Sequence, residues 1–305
     1  MKQVKAKEET LIGGAGVPLH SGAWQVANPK GVVVLAHGYA EHSGRYHHVI
    51  DFLNDQGLSV YSWDWRNHGR SPGLPGYVEN MDELVSDYDQ LIRRAVAREP
   101  KVPLFLMGHS TGGAIALLHN IRHPELYDVT GLILSAPVVK LSVKPLLRKT
   151  SGVISRLLPK MQVVDAAPIS ELSRDSAIAE KAYKDPLFYK GKVRARTGYS
   201  ILQGADEIQA SMSNINVPIL VMQGTEDKLV EAEGSDMLIG AVASDEKKLI
   251  KYDEYYHEIL NEIGKEKVMQ DIAEWVDLRV GTDVVSAPRG STMRKVLSTQ
   301  SDATL

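Results

Sequence analysis

The chain of 305 residues contains no cysteine. It therefore has no disulfide framework, no thiolate zinc or iron–sulfur site and no cysteine nucleophile. A large excess of one charge is also lacking, because 35 basic and 38 acidic side chains leave a net charge of only −3. A protein of this charge has no overall positive field to attract a phosphate backbone, so we expect no nucleic acid partner.

Long apolar runs are missing as well. No window reaches 18 uncharged apolar residues, and the opening MKQVKAKEET lacks the apolar segment of a secretory signal. Hydrophobic residues make up 43% of the chain and charged residues 24%, close to the average of globular proteins. We therefore expect a soluble, cytoplasmic protein that buries a large core.

Short apolar runs alternate along the chain with longer segments of helical spacing, the clearest of which cover residues 81–98 and 111–122. Buried strands that alternate with helices are typical of a doubly wound α/β fold, a mostly parallel sheet with helices on both faces. A Gly-rich turn between residues 4–12 and 19–26 predicts an antiparallel hairpin before the sheet. The strand-like runs cover residues 32–36, 58–63, 104–107, 132–135, 219–223 and 249–252.

The alternation stops between residues 138 and 214, where no strand-like run appears. Since a structureless loop of this length is uncommon in a compact domain, we predict a helical cap at 138–214, inserted into a core formed by 1–137 and 215–280. Residues 281–305 are rich in Ser, Thr, Gly and charge without any period. Their composition predicts a disordered tail.

The first residues that indicate chemistry follow the run at 104–107. The sequence there is GHSTGG, at residues 108–113, and a helical pattern comes next. The pattern G-x-S-x-G between a strand and a helix predicts a sharp turn that presents the Ser110 hydroxyl above the sheet, with the N-terminus of the helix beneath it. The alternative is a Gly-rich turn with a passive serine.

A serine nucleophile needs a histidine base and a carboxylate that orients the histidine. Both residue types follow later strand-like runs, with Asp227 in GTEDKLV after 219–223 and His257 in YYHEIL after 249–252. Loops at the carboxyl ends of parallel strands meet at one edge of the sheet, so the spacing predicts a triad with Ser110. Glu226 is an alternative to Asp227.

A tetrahedral intermediate also needs two backbone donors for its oxyanion. One is the amide of the residue after the nucleophile, Thr111, and the second comes from a loop after an earlier strand. The run at 32–36 ends in HGYAEH, which makes the Tyr39 amide the candidate.

These residues belong to five motifs that together resemble the monoacylglycerol lipase and lysophospholipase group of the α/β-hydrolase superfamily. The resemblance extends over about residues 8–280. The first motif is the most specific, since general α/β-hydrolases share only its first two residues. The motifs are HGYAEHSGRY at 37–46, DWRNHGRS at 64–71, GHSTGG at 108–113, GTEDKLV at 224–230 and YHEILNE at 256–262.

The resemblance implies an α/β-hydrolase fold with a helical cap and a serine carboxylester hydrolase that cleaves the acyl ester of monoacylglycerol-like lipids, without cofactor or metal. Ser110 is then the nucleophile, His257 the base and Asp227 the acid that orients it. The amides of Tyr39 and Thr111 form the oxyanion hole.

The resemblance also implies a polar, glycerol-binding end of the site. Glu41, Arg45 and His109 stand at the family's positions for it, and Tyr183 matches a cap tyrosine, in a stretch that is one residue shorter here. An alternative from the residues themselves is that Glu41 and Arg45, four positions apart, pair with each other and brace the oxyanion loop. Asn67 replaces a glycine of the family and is expected to preserve the turn, because asparagine tolerates the left-handed conformation.

Several other functions stay open from the sequence. Within enzymes they are a lysophospholipase, a general carboxylesterase and a cofactor-free haloperoxidase-like esterase, against which the EHSGRY run argues. From a different class comes a non-catalytic small-molecule receptor on the same fold. The histidine-rich stretch at 41–48 lacks a ligand spacing such as H-E-x-x-H, so we predict no metal site. The sequence does not indicate the oligomeric state.

The start of the predicted cap, residues 138–160, is both basic and apolar. It carries 6 basic residues and no acidic one, interleaved with leucine, valine and isoleucine. Such a segment predicts peripheral contact with an anionic membrane surface. The alternative is a solvated basic face whose apolar side packs on the body of the protein.

Overall fold

The computed structural model describes residues 4–164 and 168–280, and the predicted tail at 281–305 lies outside the described residues. The strands within them are, in chain order, β1 (Lys7–Ile12), β2 (Pro18–Trp24), β3 (Gly31–Ala36), β4 (Leu58–Trp63), β5 (Leu104–His109), β6 (Val129–Ser135), β7 (Gln162–Val164), β8 (Val193–Arg194), β9 (Ile219–Gly224) and β10 (Lys247–Tyr252). The helices are α1 (His47–Asp55), α2 (Met81–Arg98), α3 (Thr111–Arg122), α4 (Pro145–Leu157), α5 (Ser176–Lys184), α6 (Ala195–Ser211), α7 (Glu233–Ala241) and α8 (Lys265–Val280).

The main sheet has eight strands in the order β1-β2-β4-β3-β5-β6-β9-β10. β2 pairs antiparallel with β1 and with β4, and the other pairs are parallel. Each strand-like run of the sequence is a strand of this sheet, and the predicted hairpin is formed by β1 and β2. The predicted α/β fold is confirmed.

Both faces of the sheet are buried, as the central strand β3 illustrates. Val32, Val34 and Ala36 pack with residues of α2 and α3 on one face. Val33 and Leu35 pack with residues of α1 and α8 on the other face. A strand that is dry on both faces needs a continuous apolar run instead of alternation, which explains the sequence signal.

The turn between β5 and α3 depends on glycine. Ser110 has φ 55° and ψ −122°, a strained conformation for a residue with a side chain. The chain around it is so close-packed that a Cβ on Gly108 would overlap the backbone of Gly112, and a Cβ on Gly112 would overlap the carbonyl oxygen of Ala36. The sharp turn expected from GHSTGG is therefore present.

A second tight turn follows β4 at Asn67, which has φ 66°. Its side-chain amide donates to the Tyr77 carbonyl at 2.8 Å, and its Oδ1 accepts the Leu74 N–H at 2.8 Å. The expectation that asparagine preserves the turn is confirmed, and the side chain adds two hydrogen bonds that glycine cannot make.

The segment between β6 and β9 contains α4, α5, α6 and a two-stranded antiparallel sheet of β7 and β8. The helices agree with the sequence, whereas the small sheet was not expected, because strands of three and two residues show no pattern of their own. α6 packs on α3 and places Ile201, Ala205 and Ile208 in the main core, and α4 packs on α6. The division of the chain into core and cap at residue 214 stays a prediction.

The close packing at the β5–α3 turn generates a stability prediction. Gly112→Ala is expected to destabilise the fold by about 1–3 kcal/mol, because the new methyl group overlaps backbone atoms of Ala36 and His37 that cannot move aside. Urea unfolding measures this change in the free energy of unfolding. Gly240→Ala is the control, since nothing lies within 4 Å of its Cβ, and alanine in a helix stabilises by about 0.5–1 kcal/mol. Native-like stability of Gly112→Ala would contradict the account of this turn.

Candidate active site

Four loops at the carboxyl ends of parallel strands converge on one edge of the sheet. Tyr39 follows β3, Ser110 follows β5, Asp227 follows β9 and His257 follows β10. In parallel sheets this edge is where ligands bind, because all the strand ends point the same way.

The structure brings together the three side chains singled out in the sequence. His257 Nδ1 lies 2.7 Å from Asp227 Oδ2, and His257 Nε2 lies 2.9 Å from Ser110 Oγ. An ionised carboxylate only accepts hydrogen bonds, so Nδ1 donates to it and the unprotonated Nε2 accepts from the Ser110 hydroxyl. Glu226, the alternative acid, is exposed and makes no such contact.

Asp227 is held by hydrogen bonds to both of its oxygens. Oδ1 accepts the amides of Leu229 at 2.8 Å and Val230 at 3.1 Å, and Oδ2 accepts Gln223 Nε2 at 2.8 Å. Burial by itself would raise the pKa of Asp227, but the charge and hydrogen bond of His257 and the two amides outweigh it and lower the pKa. The carboxylate is therefore ionised and fixed in orientation.

His257 lies among three carboxylates. Burial would lower its pKa, but the Asp227 carboxylate, followed by those of Glu258 and Glu41, raises the pKa above the ordinary histidine value. The ring of His109 lies 4.8 Å from that of His257. Burial, together with the nearby His257, lowers the pKa of His109 to about 3, so His109 stays neutral.

The backbone around Ser110 offers two amides. Thr111 begins α3, so its N–H has no acceptor within the helix. Both Thr111 and Tyr39 line the cavity beside Ser110. Neither amide donates to another residue in the described part of the chain. The next amide of the first loop, that of Gly38, is occupied by Glu41 Oε1 at 2.6 Å.

A cavity of about 560 Å³ stands over Ser110. Its volume suits a drug-sized or single-chain ligand. The polar groups at its base include Ser110, His257, Glu41 and His109. Its upper walls are apolar and come mainly from the segment between β6 and β9, including Leu147, Ile154, Leu172, Phe188, Ile201 and Leu202.

Two of the residues assigned to the glycerol end reach this cavity and one does not. Glu41 and His109 line it, whereas Arg45 lies behind Glu41. Arg45 Nη1 donates to Glu41 Oε2 at 2.7 Å, so the pairing considered as an alternative from the sequence is present. Arg45 also binds Glu258, a partner that sequence reasoning missed because it lies 213 positions away.

Tyr183 is not brought to the site. It lies on α5, its side chain is 70% exposed and it does not line the cavity. The wall is formed instead by Phe188 and Tyr189, which follow the D-P-L letters of the same stretch and were missed. The Tyr189 amide donates to the Ala40 carbonyl at 2.7 Å, which ties this wall to the loop after β3.

The histidine-rich stretch is engaged in other contacts. His42 Nε2 lies 2.8 Å from Asp185 Oδ2, and His48 Nε2 lies 2.7 Å from the Leu260 carbonyl. Over residues 4–164 and 168–280, no group of three or more histidine, aspartate or glutamate side chains is arranged to hold a metal ion.

Comparison with known proteins identifies the family of this chain. The family described as serine aminopeptidase, S33 matches residues 27–264. A monoacylglycerol lipase of Mycolicibacterium smegmatis is 34% identical over 88% of this chain and 96% of that protein, and human monoglyceride lipase is 29% identical over 91% and 93%. The crystal structure of Paleococcus ferrophilus monoacylglycerol lipase matches 86% of this chain and 99% of its own, with a TM-score of 0.76 and 28% identity. The chain therefore belongs to the monoacylglycerol lipase and lysophospholipase group of serine hydrolases, in the α/β-hydrolase superfamily.

Proposed function

We propose that this protein is a serine carboxylester hydrolase that cleaves the acyl ester of monoacylglycerol-like lipids through an acyl-enzyme intermediate. The observation that carries the proposal is the unbroken chain of hydrogen bonds from Asp227 through His257 to Ser110, at the base of an apolar cavity. The cavity offers room for one acyl chain. The named relatives are monoacylglycerol lipases, which supports the same substrate class and argues against a non-catalytic receptor.

In the acylation step, Ser110 Oγ attacks the acyl carbonyl and its proton passes to His257 Nε2. The carbonyl π electrons move to the oxygen, where the Tyr39 and Thr111 amides stabilise the charge together with the N-terminus of α3. Asp227 stabilises the imidazolium. When the intermediate collapses, the ester bond breaks and His257 returns the proton to the departing glycerol oxygen.

In the deacylation step, water replaces glycerol. His257 accepts a proton from the water as its oxygen attacks the acyl carbonyl, and the same two amides of Tyr39 and Thr111 hold the second oxyanion. Collapse breaks the bond to Ser110, whose oxygen regains a proton from His257. The fatty acid then leaves through the cavity.

For the glycerol end we retain Glu41 and His109. Both are polar, buried and part of the cavity base. The Glu41 oxygens are already paired within the protein, whereas His109 contacts Ser135 Oγ through Nδ1 at 3.0 Å and keeps Nε2 for a ligand. A head group that carries hydroxyls can pair with this nitrogen, and an apolar one would leave it unpaired. Arg45 acts on this end only through its ion pair with Glu41.

A substrate panel tests this function. The native protein is expected to hydrolyse monoacylglycerols faster than diacylglycerols and lysophospholipids. Ser110→Ala, His257→Ala and Asp227→Asn are each expected to lower kcat by about 10³-fold or more, since the three groups act as a unit. Initial rates of fatty acid release measure both effects, and circular dichroism verifies the fold.

Glu226→Gln is the matched control for the acid. Glu226 neighbours Asp227 but is exposed, so this variant should keep native activity. Full activity in Ser110→Ala would overturn the serine mechanism. A preference for lysophospholipids over monoacylglycerols would instead support the lysophospholipase alternative.

The pH dependence follows from the electrostatics of His257. The base must be neutral to accept the serine proton, and its pKa is raised by Asp227, Glu258 and Glu41 against the effect of burial. Activity is therefore lost as the pH falls, and kcat/KM is expected to drop with a midpoint above about 6.5. His109 does not contribute, because its pKa is lowered to about 3. A midpoint below pH 6, with the protein folded by circular dichroism, would contradict this assignment.

We also propose that α4 contacts the membrane surface. Leu146, Val153 and Leu157, at i, i+7 and i+11, form an outward stripe with exposed fractions of 75%, 62% and 71%. Leu147 and Ile154 of the same helix line the cavity. The helix thus has two apolar faces, and one of them has no cover within the described residues. None of the described helices is long and apolar enough to span a bilayer.

The charge around α4 is smaller than its sequence indicates. Lys140 pairs with Glu231 at 2.8 Å, and Arg148 pairs with Asp206. Both acids come from distant parts of the chain. The remaining four basic residues of 138–160 form no ion pair with another described residue and are available for anionic lipid; they are Lys144, Lys149, Arg156 and Lys160.

Replacing these four residues with glutamine is expected to weaken binding to anionic vesicles by roughly 10²-fold or more, at about 1 kcal/mol per charge. Hydrolysis of a short soluble ester should change little. Vesicle co-sedimentation measures the binding, and added salt should weaken it for the native protein as well.

A control variant removes the same formal charge at the opposite edge of the sheet, just before β3 and β5 and in the first two residues of β10, and should bind vesicles like the native protein. Its substitutions are Lys30→Gln, Lys101→Gln, Lys247→Gln and Lys248→Gln. If the α4 variant and the control variant both bind vesicles as tightly as the native protein, residues 138–160 are only a solvated face and the membrane proposal fails.

A further inference from the structure

Arg45 joins two loops of the active site without reaching the cavity. Its Nη1 and Nη2 donate to the two carboxylate oxygens of Glu258 at 2.6 and 2.7 Å, and Nη1 also donates to Glu41 Oε2 at 2.7 Å. All three side chains are almost fully buried. We call this group, Glu41, Arg45 and Glu258, the Arg45 clamp. Such charge-assisted, bidentate contacts are the most geometrically defined hydrogen bonds that side chains make.

One end of the clamp fixes the loop after β3. Glu41 Oε1 accepts the Gly38 amide at 2.6 Å and the Tyr46 hydroxyl at 2.5 Å. Gly38 immediately precedes Tyr39, whose amide is the proposed oxyanion donor. A shift of the Glu41 carboxylate therefore moves the peptide next to that donor.

The other end fixes the loop after β10. Glu258 directly follows His257, and its carboxylate also accepts Asn261 Nδ2 at 3.0 Å. The Glu258 amide donates to the Leu172 carbonyl at 2.7 Å, so the residue next to the base is held through both its backbone and its side chain. Arg45 thus connects the neighbour of the base to the neighbour of the oxyanion donor.

Stability alone does not account for this arrangement. Two carboxylates and one guanidinium are buried together, and apolar residues in place of a buried ion group are often equally stable or more stable. Burial raises the pKa of Glu41 despite Arg45, whereas at Glu258 the effect of Arg45 outweighs burial and lowers the pKa. A negative charge therefore stays on Glu258, beside His257.

We propose that Arg45 and Glu258 are positioning residues, which hold the His257 imidazole and the Tyr39 amide at a fixed separation around Ser110. This inference rests on the proposed triad and oxyanion hole. A tetrahedral intermediate touches both groups at once, so their separation decides how well it is stabilised. Binding of the acyl chain in the apolar cavity does not depend on this separation, so for an ester without a glycerol head group the clamp acts on kcat more than on KM.

The test compares Glu258→Gln and Arg45→Lys with the native protein on p-nitrophenyl butyrate. Gln keeps the shape but loses the charge, and Lys keeps the charge but loses the bidentate contact. Each is expected to lower kcat by about 10–100-fold and to leave KM within roughly twofold, since small misplacements of reacting groups carry costs of this size.

Glu207→Gln is the matched control. Glu207 receives a bidentate contact from Arg122 at 2.7 and 2.6 Å. This pair lies at the far end of α3, about 16 Å along the helix from Thr111, and its loss should leave kcat unchanged.

The pH profile separates the effect of the Glu258 charge on His257 from the effect of the Arg45 clamp on its position. The titratable groups that face His257 are Asp227, Glu258, Glu41 and His109. Removing the negative charge of Glu258 lowers the pKa of His257, so the acidic limb of kcat/KM should move to lower pH in Glu258→Gln. The acidic limb should move much less in Arg45→Lys and Glu207→Gln, because both variants keep the Glu258 carboxylate.

Native kcat in folded Arg45→Lys and Glu258→Gln would overturn the proposal, and so would a rise in KM for p-nitrophenyl butyrate at native kcat, which would make Arg45 and Glu258 part of acyl-chain binding. Should Glu258→Gln fail to fold, Arg45→Lys decides alone through its kcat and KM. A native protein without esterase activity would instead refute the proposed function. Thermal unfolding of each variant separates lost activity from lost fold.

Discussion

The strained turn at Ser110 is the constraint on which the rest of the molecule depends. A serine at φ 55° is costly, by about 1–3 kcal/mol, and persists only where its surroundings fix it. Here the Ser110 amide donates to the Ser135 carbonyl at 2.9 Å, and the Ser110 carbonyl accepts the Val138 amide at 3.0 Å. The turn is thus bound to the last residue of β6 and to the segment that follows β6. Positions 108 and 112 require glycine, because the backbone of α3 and of β3 leaves no room for a side chain beside this turn.

The other parts of the site are arranged around this turn. The strand ends place a base and an acid beside the serine, and the Arg45 clamp connects the flanking loops. The wall of the cavity is then joined to those same loops, by the Tyr189 amide on the Ala40 carbonyl and the Glu258 amide on the Leu172 carbonyl. α4 is bound differently, since it packs on α6 and leaves one apolar face open. The catalytic loops are therefore tied to one another and to the cavity wall, whereas α4 presents the open apolar face on which the proposed membrane contact rests.

Sequence reasoning succeeds where the determinants are local. The apolar run of β3, the glycines around Ser110 and the left-handed Asn67 each have a signal within a few residues. It fails where the partner is distant or the element is short. No local pattern links Arg45 to Glu258. Likewise, the sequence shows six positive charges in residues 138–160, but it does not show that Asp206 neutralises the charge of Arg148. Tyr183 shows that a shortened motif can leave its aromatic residue outside the site it was matched to.

The central claim is that Ser110 carries the acyl group during turnover. Mass spectrometry of protein quenched with acid during hydrolysis of p-nitrophenyl butyrate measures this directly. The account predicts a mass increase of one butyryl group, located on the peptide that contains Ser110 and absent in Ser110→Ala. Hydrolysis without an acylated intermediate in single-turnover samples, or acylation of a different residue, would contradict it.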